Sequence, residues 1–411
     1  MDTTAIKRVE GTDLITHLPL PENKKFYPAL DGLRAIAVLL VFHQHYLAYP
    51  LSMRWGWTGV DIFFVLSGFL ITGILYDTRN TEHRFRNFYV RRTLRIFPLY
   101  YGLFFLFLVT TPIFHWVWDR AWYLWLFYLG NFAQIHLFDF LLRGQYPYPF
   151  DSFQPTRFLS PQVGFIVGHF WSLCIEEQFY LVWPFIVFFV KDRVRLRNFC
   201  AAVVILSPFL RLLCSYVLPA RMLEAGFLMR FTPLRVDALL LGALVALCLR
   251  GPEAERVKRF GRPLALSLFT FFTVVTVGLI LLTHSTVQPE SLPGIETFGL
   301  TLIDLLAAGI ILLALNPHSL TYRLLNITWL RRLGQISYGF YVFHKLLHPF
   351  YIRLAVDIFG ANKPHLNLFI AIFGLIGTTI ISYLSFRFYE SKFLLLKDRF
   401  SVNSKVGAPS Y

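Results

Sequence analysis

Arg34 and His45 lie eleven positions apart in the first hydrophobic segment, Leu33 to Leu47. At roughly 100° per residue, eleven steps return to within about 20° of the start, so a helix carries both side chains on one stripe. His43, nine steps from Arg34, faces roughly the opposite way and reads as a packing residue. A cation in hydrocarbon costs roughly 2.5 to 3.5 kcal/mol on insertion scales, so it turns toward a protein-lined or wet cavity. A neutral imidazole can take a hydroxyl proton near neutral pH, which makes His45 a candidate general base. The alternative for His45 is a hydrogen-bonded packing histidine.

Three further motifs carry groups of the same kind. In Gly59-Val-Asp61-Ile-Phe-Phe-Val-Leu-Ser67-Gly68, Asp61 enters an apolar run and needs a partner there; His45 is one candidate. Ser67 and Gly68 read as small residues for close helix contact. In Arg91-Arg92-Thr-Leu-Arg95-Ile-Phe-Pro98, three arginines precede a proline suited to begin a helix. They signal topology, and guanidinium forks also bind phosphate oxygens. In Trp171-Ser172-Leu-Cys-Ile-Glu176-Glu177-Gln178-Phe-Tyr180, Ser172, Glu176 and Tyr180 share a helix face, with Glu177 about 100° away. Weaker features are Arg235-Val-Asp237, read as a local ion pair, and Ser337-Tyr338, Tyr341 and His344.

The elements that position these groups are membrane helices. The chain has 411 residues, 56% of them hydrophobic, with a mean hydropathy of +0.54, far above a soluble domain. The fold class is all-α: a polytopic membrane protein of about ten transmembrane helices. Spans are expected near 31–50, 58–76, 97–117, 171–190, 198–217, 235–249, 263–283, 298–315, 334–357 and 366–387. The stretch 122–142 is rich in Trp and Tyr and broken by Gly130, Asn131 and Gln134; it reads as an extra interfacial or re-entrant element. Counting it as non-spanning keeps the basic loops (Arg79 to Arg95, Lys191 to Arg197, Arg250 to Arg262, Arg323 to Arg332) on the cytoplasmic side. Residues 1–29 then form a cytoplasmic tail without a signal-peptide core, 30–393 the membrane domain, and 394–411 a second cytoplasmic tail.

The net charge of +15 would suggest nucleic acid in a soluble protein. Here the cations orient the chain in the bilayer, and no nucleic-acid partner is expected. The four cysteines fit no metal spacing and read as small core residues; no metal and no bound cofactor is expected. A transporter or lipid-binding protein would also place charges on an interior stripe, but it would more often show repeat symmetry, and no internal repeat is seen.

The four motifs in this order resemble the membrane acyltransferase-3 family, from about Leu30 to Glu390. Any one alone is weak; four in register are specific. The resemblance implies a ten-span enzyme of a bacterial cytoplasmic membrane. It would move an acyl group, usually acetyl, from cytoplasmic acyl-CoA to a hydroxyl of a carbohydrate or glycolipid at the outer face. A small-molecule acceptor such as a macrolide is the alternative within the enzyme class. Carried over residue by residue, Arg34 and His45 match the family's paired arginine and histidine. Arg91, Arg92 and Arg95 match its basic motif, and Glu176 its glutamate. His45, Glu176 and Asp61 are then the catalytic candidates, with Arg34, Arg91, Arg92 and Arg95 for acyl-CoA. Ser172, Tyr180, Glu177, Tyr338 and His344 are secondary candidates. Cys174-Ile175, Tyr341-Val-Phe-His344-Lys345 and Glu390-Ser-Lys392 depart from the usual pattern. The loop from Arg143 to Gly168, with Tyr146, Tyr148, Phe150 and Phe153, suits stacking on a sugar acceptor.

Overall fold

The computed structural model describes residues 27–47, 55–114, 116–117, 122–135, 137, 152–155, 165–283, 294–360, 365–397 and 400. Most of both tails and most of the loop from 143 to 168 lie outside these residues.

Three long helices open the chain: α1 (Pro28–Tyr46), α2 (Thr58–Asp77) and α3 (Arg84–Phe114). Two short ones follow, α4 (Trp122–Leu126) and α5 (Gly130–Gln134). Neither can span a bilayer, so the aromatic stretch 122–142 does not cross in the described part. Next come α6 (Trp171–Phe189), α7 (Arg193–Val217), α8 (Ala220–Glu224), α9 (Phe227–Arg230), α10 (Thr232–Cys248) and α11 (Ala254–Thr283). The last group is α12 (Leu300–Ala314), α13 (Leu320–Leu325), α14 (Thr328–Gln335), α15 (Ser337–Leu346), α16 (His348–Phe359), α17 (Leu366–Ser385) and α18 (Ser391–Lys397). Three short antiparallel strands, β1 (Trp116–Val117), β2 (Ser152–Pro155) and β3 (Phe165–Ile166), pair in that order.

Local chemistry sets several boundaries. Pro28, Pro233 and Pro349 stand in the first turns of α1, α10 and α16, where a missing N–H costs nothing. Asp192 caps α7, its carboxylate accepting from Val194 N at 2.7 Å. Ser319 caps α13, its hydroxyl accepting from Tyr322 N at 2.9 Å.

Among the described residues, seven helical segments are long and apolar enough to cross a membrane. The chain is an integral membrane protein. The other three expected spans fall on α1 (19 residues), α10 (17 residues) and the broken pair α15–α16. The count of ten is thus approximate. Helix α2 is central and mostly buried, whereas α7 and α11 turn Ile205, Leu206, Phe209, Phe269 and Phe271 outward. Such faces suit lipid.

Helix α2 packs closely on α10 because both present glycine. A Cβ on Gly68 would strike the carbonyl of Leu239, and one on Gly242 the carbonyl of Val65. Trp183 Nε1 donates to Thr72 Oγ1 at 2.8 Å and ties α6 to the same helix.

Two boundaries differ from the sequence reading. Span three begins at Arg84, about four turns before position 97, so Arg91, Arg92 and Arg95 lie on the helix and Pro98 lies inside it. Two tyrosines tie other elements to α3 near Pro98: Tyr338 donates to Ile96 O at 2.8 Å and Tyr389 to Pro98 O at 2.9 Å. The expected span 334–357 is not continuous but breaks at Ile336 and Leu347. Pro349 enforces the second break, and Gly334 lets α14 press on the backbone of Asp31. Broken helices inside a membrane are tolerated where protein surrounds them, and they often mark sites.

Candidate active site

Five elements meet around one cavity. Helix α1 supplies Arg34; α2 supplies Val60, Phe63, Phe64 and Ser67; α3 supplies Arg92, Arg95 and Ile96. Helix α6 adds Ser172, Leu173 and Glu176, and α15 adds Ser337, Tyr338 and Tyr341. The space amounts to about 640 Å³, solvent at its mouth included, within the range of small-molecule sites. Its character is mixed: aromatic walls with three arginines and one carboxylate.

A second cavity of about 650 Å³ lies beside it, lined by Ile71, Ile74, Thr78, Thr81, Arg84, Asn87, Phe88, Arg91, Arg92 and Arg95. Among the described residues it holds four arginines and no carboxylate, a composition matched to phosphate oxygens. Arg92 and Arg95 line both cavities, so their side chains form a shared wall. The three motif arginines and Arg34 are therefore brought together around adjoining spaces.

The carboxylates are held by neighbours rather than by His45. Glu176 Oε1 accepts from Ser67 Oγ at 2.6 Å and faces the first cavity. Glu177 Oε1 is 3.9 Å from Arg92 Nε, and the Arg92 guanidinium lies 3.7 Å over the ring of Tyr180. Glu177 and Tyr180 thus fix the Arg92 head from two sides.

His45 sits in a row of histidines. Its Nδ1 is 3.0 Å from His344 Nε2. His344 Nδ1 is 2.6 Å from the carbonyl oxygen of Tyr341. His169 Nε2 is 3.1 Å from the same oxygen and 3.2 Å from the carbonyl of Val342, and its ring centre is 5.0 Å from that of His344. Tyr341 links this row to the cavity. Its hydroxyl donates to His169 O at 2.7 Å, which leaves its oxygen to accept from Ser172 Oγ at 2.6 Å. Tyr46 donates to the His344 carbonyl and fastens the end of α15 to α1.

Asp61 requires a correction. It does not orient His45; it is paired with Arg235 of α10, both side chains 1% exposed. Asp304 lies 4.0 Å from the same guanidinium. The expected local pair of Arg235 with Asp237 is also not formed, since positions two apart on a helix face different ways. Asp237 instead meets Arg211 at 2.8 Å, and Arg211 further donates to Thr297 O and Leu234 O. These buried charges brace α2, α7, α10 and α12 against one another.

The described residues thus place Arg34, Arg92, Arg95, Glu176, Ser172 and Tyr338 on one cavity, Arg91 on its neighbour, and His45 with His344. Three participants carry little signal in the sequence. Ser67 reads as a packing residue, yet it holds Glu176. His169 precedes the Trp171 motif and is buried against α15; a histidine at the mouth of a span is the one hint. Arg235 is 174 positions from Asp61, beyond any spacing rule.

The acyltransferase domain family matches residues 27–387. A Bacillus subtilis protein provisionally named a peptidoglycan O-acetyltransferase is 33% identical over 394 residues, covering 90% of this chain and 55% of its own. The peptidoglycan O-acetyltransferase OatA of Listeria monocytogenes is 30% identical over 380 residues, 90% of this chain and 56% of its own. The O-acetyltransferase OatA of Staphylococcus aureus is 27% identical over 402 residues, 95% and 59%. The chain spans a little over half the length of these curated relatives. No solved structure matches it.

Proposed function

This chain belongs to the acyltransferase family, and on that premise we propose that it is an integral-membrane O-acetyltransferase acting on a glycan. Peptidoglycan, the polymer in the names of its relatives, is the first acceptor to test. The donor in this reading is cytoplasmic acetyl-CoA. Its phosphates would meet Arg84, Arg91, Arg92 and Arg95 in the second cavity. The protein would sit in a bacterial cytoplasmic membrane with both termini inside, the orientation that leaves the basic loops cytoplasmic.

In the reaction, His45 Nε2 takes the proton of the acceptor hydroxyl. The hydroxyl oxygen bonds to the thioester carbonyl carbon, and the tetrahedral intermediate collapses with loss of the C–S bond. The CoA thiolate leaves and takes up the proton from the imidazolium. An ester and free CoA result, and the histidine is neutral again.

Eleven residues of α1 rise about 16 Å, a separation that favours Arg34 on the donor side of the reacting carbonyl. Oxyanion donors work at about 3 Å. With His45 as the base, Arg34 holds the donor's arm or a phosphate.

The observation that carries this reading is the pair of arginines shared by two adjoining cavities, one rich in cations and one lined by Ser172 and Tyr341, whose hydrogen bonds reach the histidine row. The test uses protein reconstituted in vesicles with acetyl-CoA outside and a glycan acceptor. Release of free CoA that depends on the acceptor supports it. Acetyl transfer from a different donor, with acetyl-CoA inert, would keep the acyltransferase and remove the donor assignment.

A further inference from the structure

His344 lies at the C-terminal end of α15, with both ring nitrogens in hydrogen-bond range of a named group. One of those groups settles the other. The Tyr341 carbonyl oxygen can only accept, so His344 Nδ1, 2.6 Å away, carries a hydrogen. A neutral His344 then has a bare lone pair at Nε2. That lone pair faces His45 Nδ1 at 3.0 Å, so the hydrogen between the two rings belongs to His45. A neutral imidazole has one N–H. With it at Nδ1, His45 Nε2 is left unprotonated.

We infer that His344 is a positioning residue that holds His45 in its Nδ1–H tautomer and so presents Nε2 as the base. This inference rests on the reading of His45 as general base. The arrangement does what a carboxylate does in a Ser-His-Asp triad, where an acceptor at Nδ1–H fixes the tautomer. Here a second histidine, itself fixed by a backbone carbonyl, takes that part. It also explains why Asp61 is free to serve Arg235 instead. The same carbonyl receives His169 Nε2 at 3.1 Å, so the broken helix α15 is clamped where its tautomer-setting oxygen lies. A charged His344 would donate from both nitrogens. His45 Nδ1 would then have to accept, and its Nε2–H could take no proton.

The direct test is nitrogen-15 NMR of the full chain in bilayers, labelled at histidine, with His45→Ala identifying the His45 signals. The inference expects Nδ1 of His45 protonated and Nε2 bare in the wild type. A wild-type His45 with hydrogen on Nε2 overturns it, whatever the variants do.

Kinetics give the second arm. His344→Met fills the space but offers no nitrogen acceptor. It should lower kcat at least about 100-fold with KM for the donor within about threefold, given what a correctly protonated base supplies. His344→Gln places an amide oxygen near the lost Nε2 and should recover at least about a tenth of wild-type kcat. Equal loss of kcat in both variants, or unchanged kcat in His344→Met, contradicts the inference. If His45→Ala keeps full transfer, the general-base reading itself fails, an outcome separable from failure at His344 alone.

Discussion

His45 and His344, 299 positions apart, meet through a 3.0 Å contact between Nδ1 and Nε2. The first residue comes from the opening helix and the second from a helix broken at both ends. The contact joins the earliest motif of the chain to the late segment Tyr341–Lys345, and it does so where Tyr341 connects the histidine row to the cavity through Ser172. Any change that shifts α15 along its axis disturbs the base, not only the packing.

The shared wall of the two cavities predicts a binding defect. Arg92→Ala or Arg95→Ala should raise KM for acetyl-CoA by about 10- to 100-fold, since a hydrogen bond to a charged group contributes about 1.5 to 3 kcal/mol. Lysine at either position keeps the charge but loses the fork, so a partial defect is expected. Initial rates over a range of donor concentrations provide the check; a pure kcat effect with unchanged KM would place these arginines elsewhere in the reaction.

Asp61 should act on stability. Removing Asp61 leaves the buried Arg235 guanidinium leaning on Asp304, 4.0 Å away, and breaking a buried ion pair costs about 3 to 5 kcal/mol. Asp61→Ala should therefore lower the thermal midpoint of detergent-purified protein sharply, and Arg235→Ala should do the same. A stable, fully folded Asp61→Ala protein without activity would return this carboxylate to the catalytic set.

Much of the cavity lining is legible in one dimension, because helical spacing is a local property. Arg34, Arg92, Arg95, Glu176, Ser172 and Tyr338 line one cavity, and the motifs that contain them are short. The helical class and the short, non-spanning helices in the described part of 122–142 follow from hydropathy and broken composition in the same way. Partner choice was not legible. Asp61 was equally free to meet His45 or Arg235 until packing of α2 on α10 decided the matter. The start of α3 differs from the sequence reading because Pro98 reads as a helix opener, whereas the helix runs through it from Arg84.

Gly68 gives a steric prediction. A methyl group there would meet the Leu239 backbone, which cannot rotate away, so α2 and α10 must separate. Gly68→Ala should destabilise by about 1 to 3 kcal/mol, as overpacking does. It should also weaken the adjacent Ser67–Glu176 hydrogen bond. Thermal denaturation of the variant decides this; a midpoint equal to wild type would show that the helices tolerate a wider gap.

On the basic side, Glu253 precedes α11 and is gripped by Arg193 at 2.7 Å and Arg197 at 3.0 Å. The hydrogen bond from Arg193 holds its carboxyl down to about 2, from an ordinary 4.5. A depressed folded-state value stabilises above the unfolded value and is lost as pH falls toward the folded one. The stability gap between wild type and Glu253→Gln should be constant above about pH 5 and close between about pH 4.5 and pH 2. Thermal midpoints across that range test it; a gap that widens on acidification has the wrong sign.

The central claim is that His45 serves glycan O-acetylation. The most direct measurement is mass spectrometry of peptidoglycan from cells lacking this protein, complemented with wild type or His45→Ala at matched membrane levels. The account predicts that wild type restores the acetyl mass and His45→Ala does not. Full O-acetylation in cells carrying His45→Ala would contradict it.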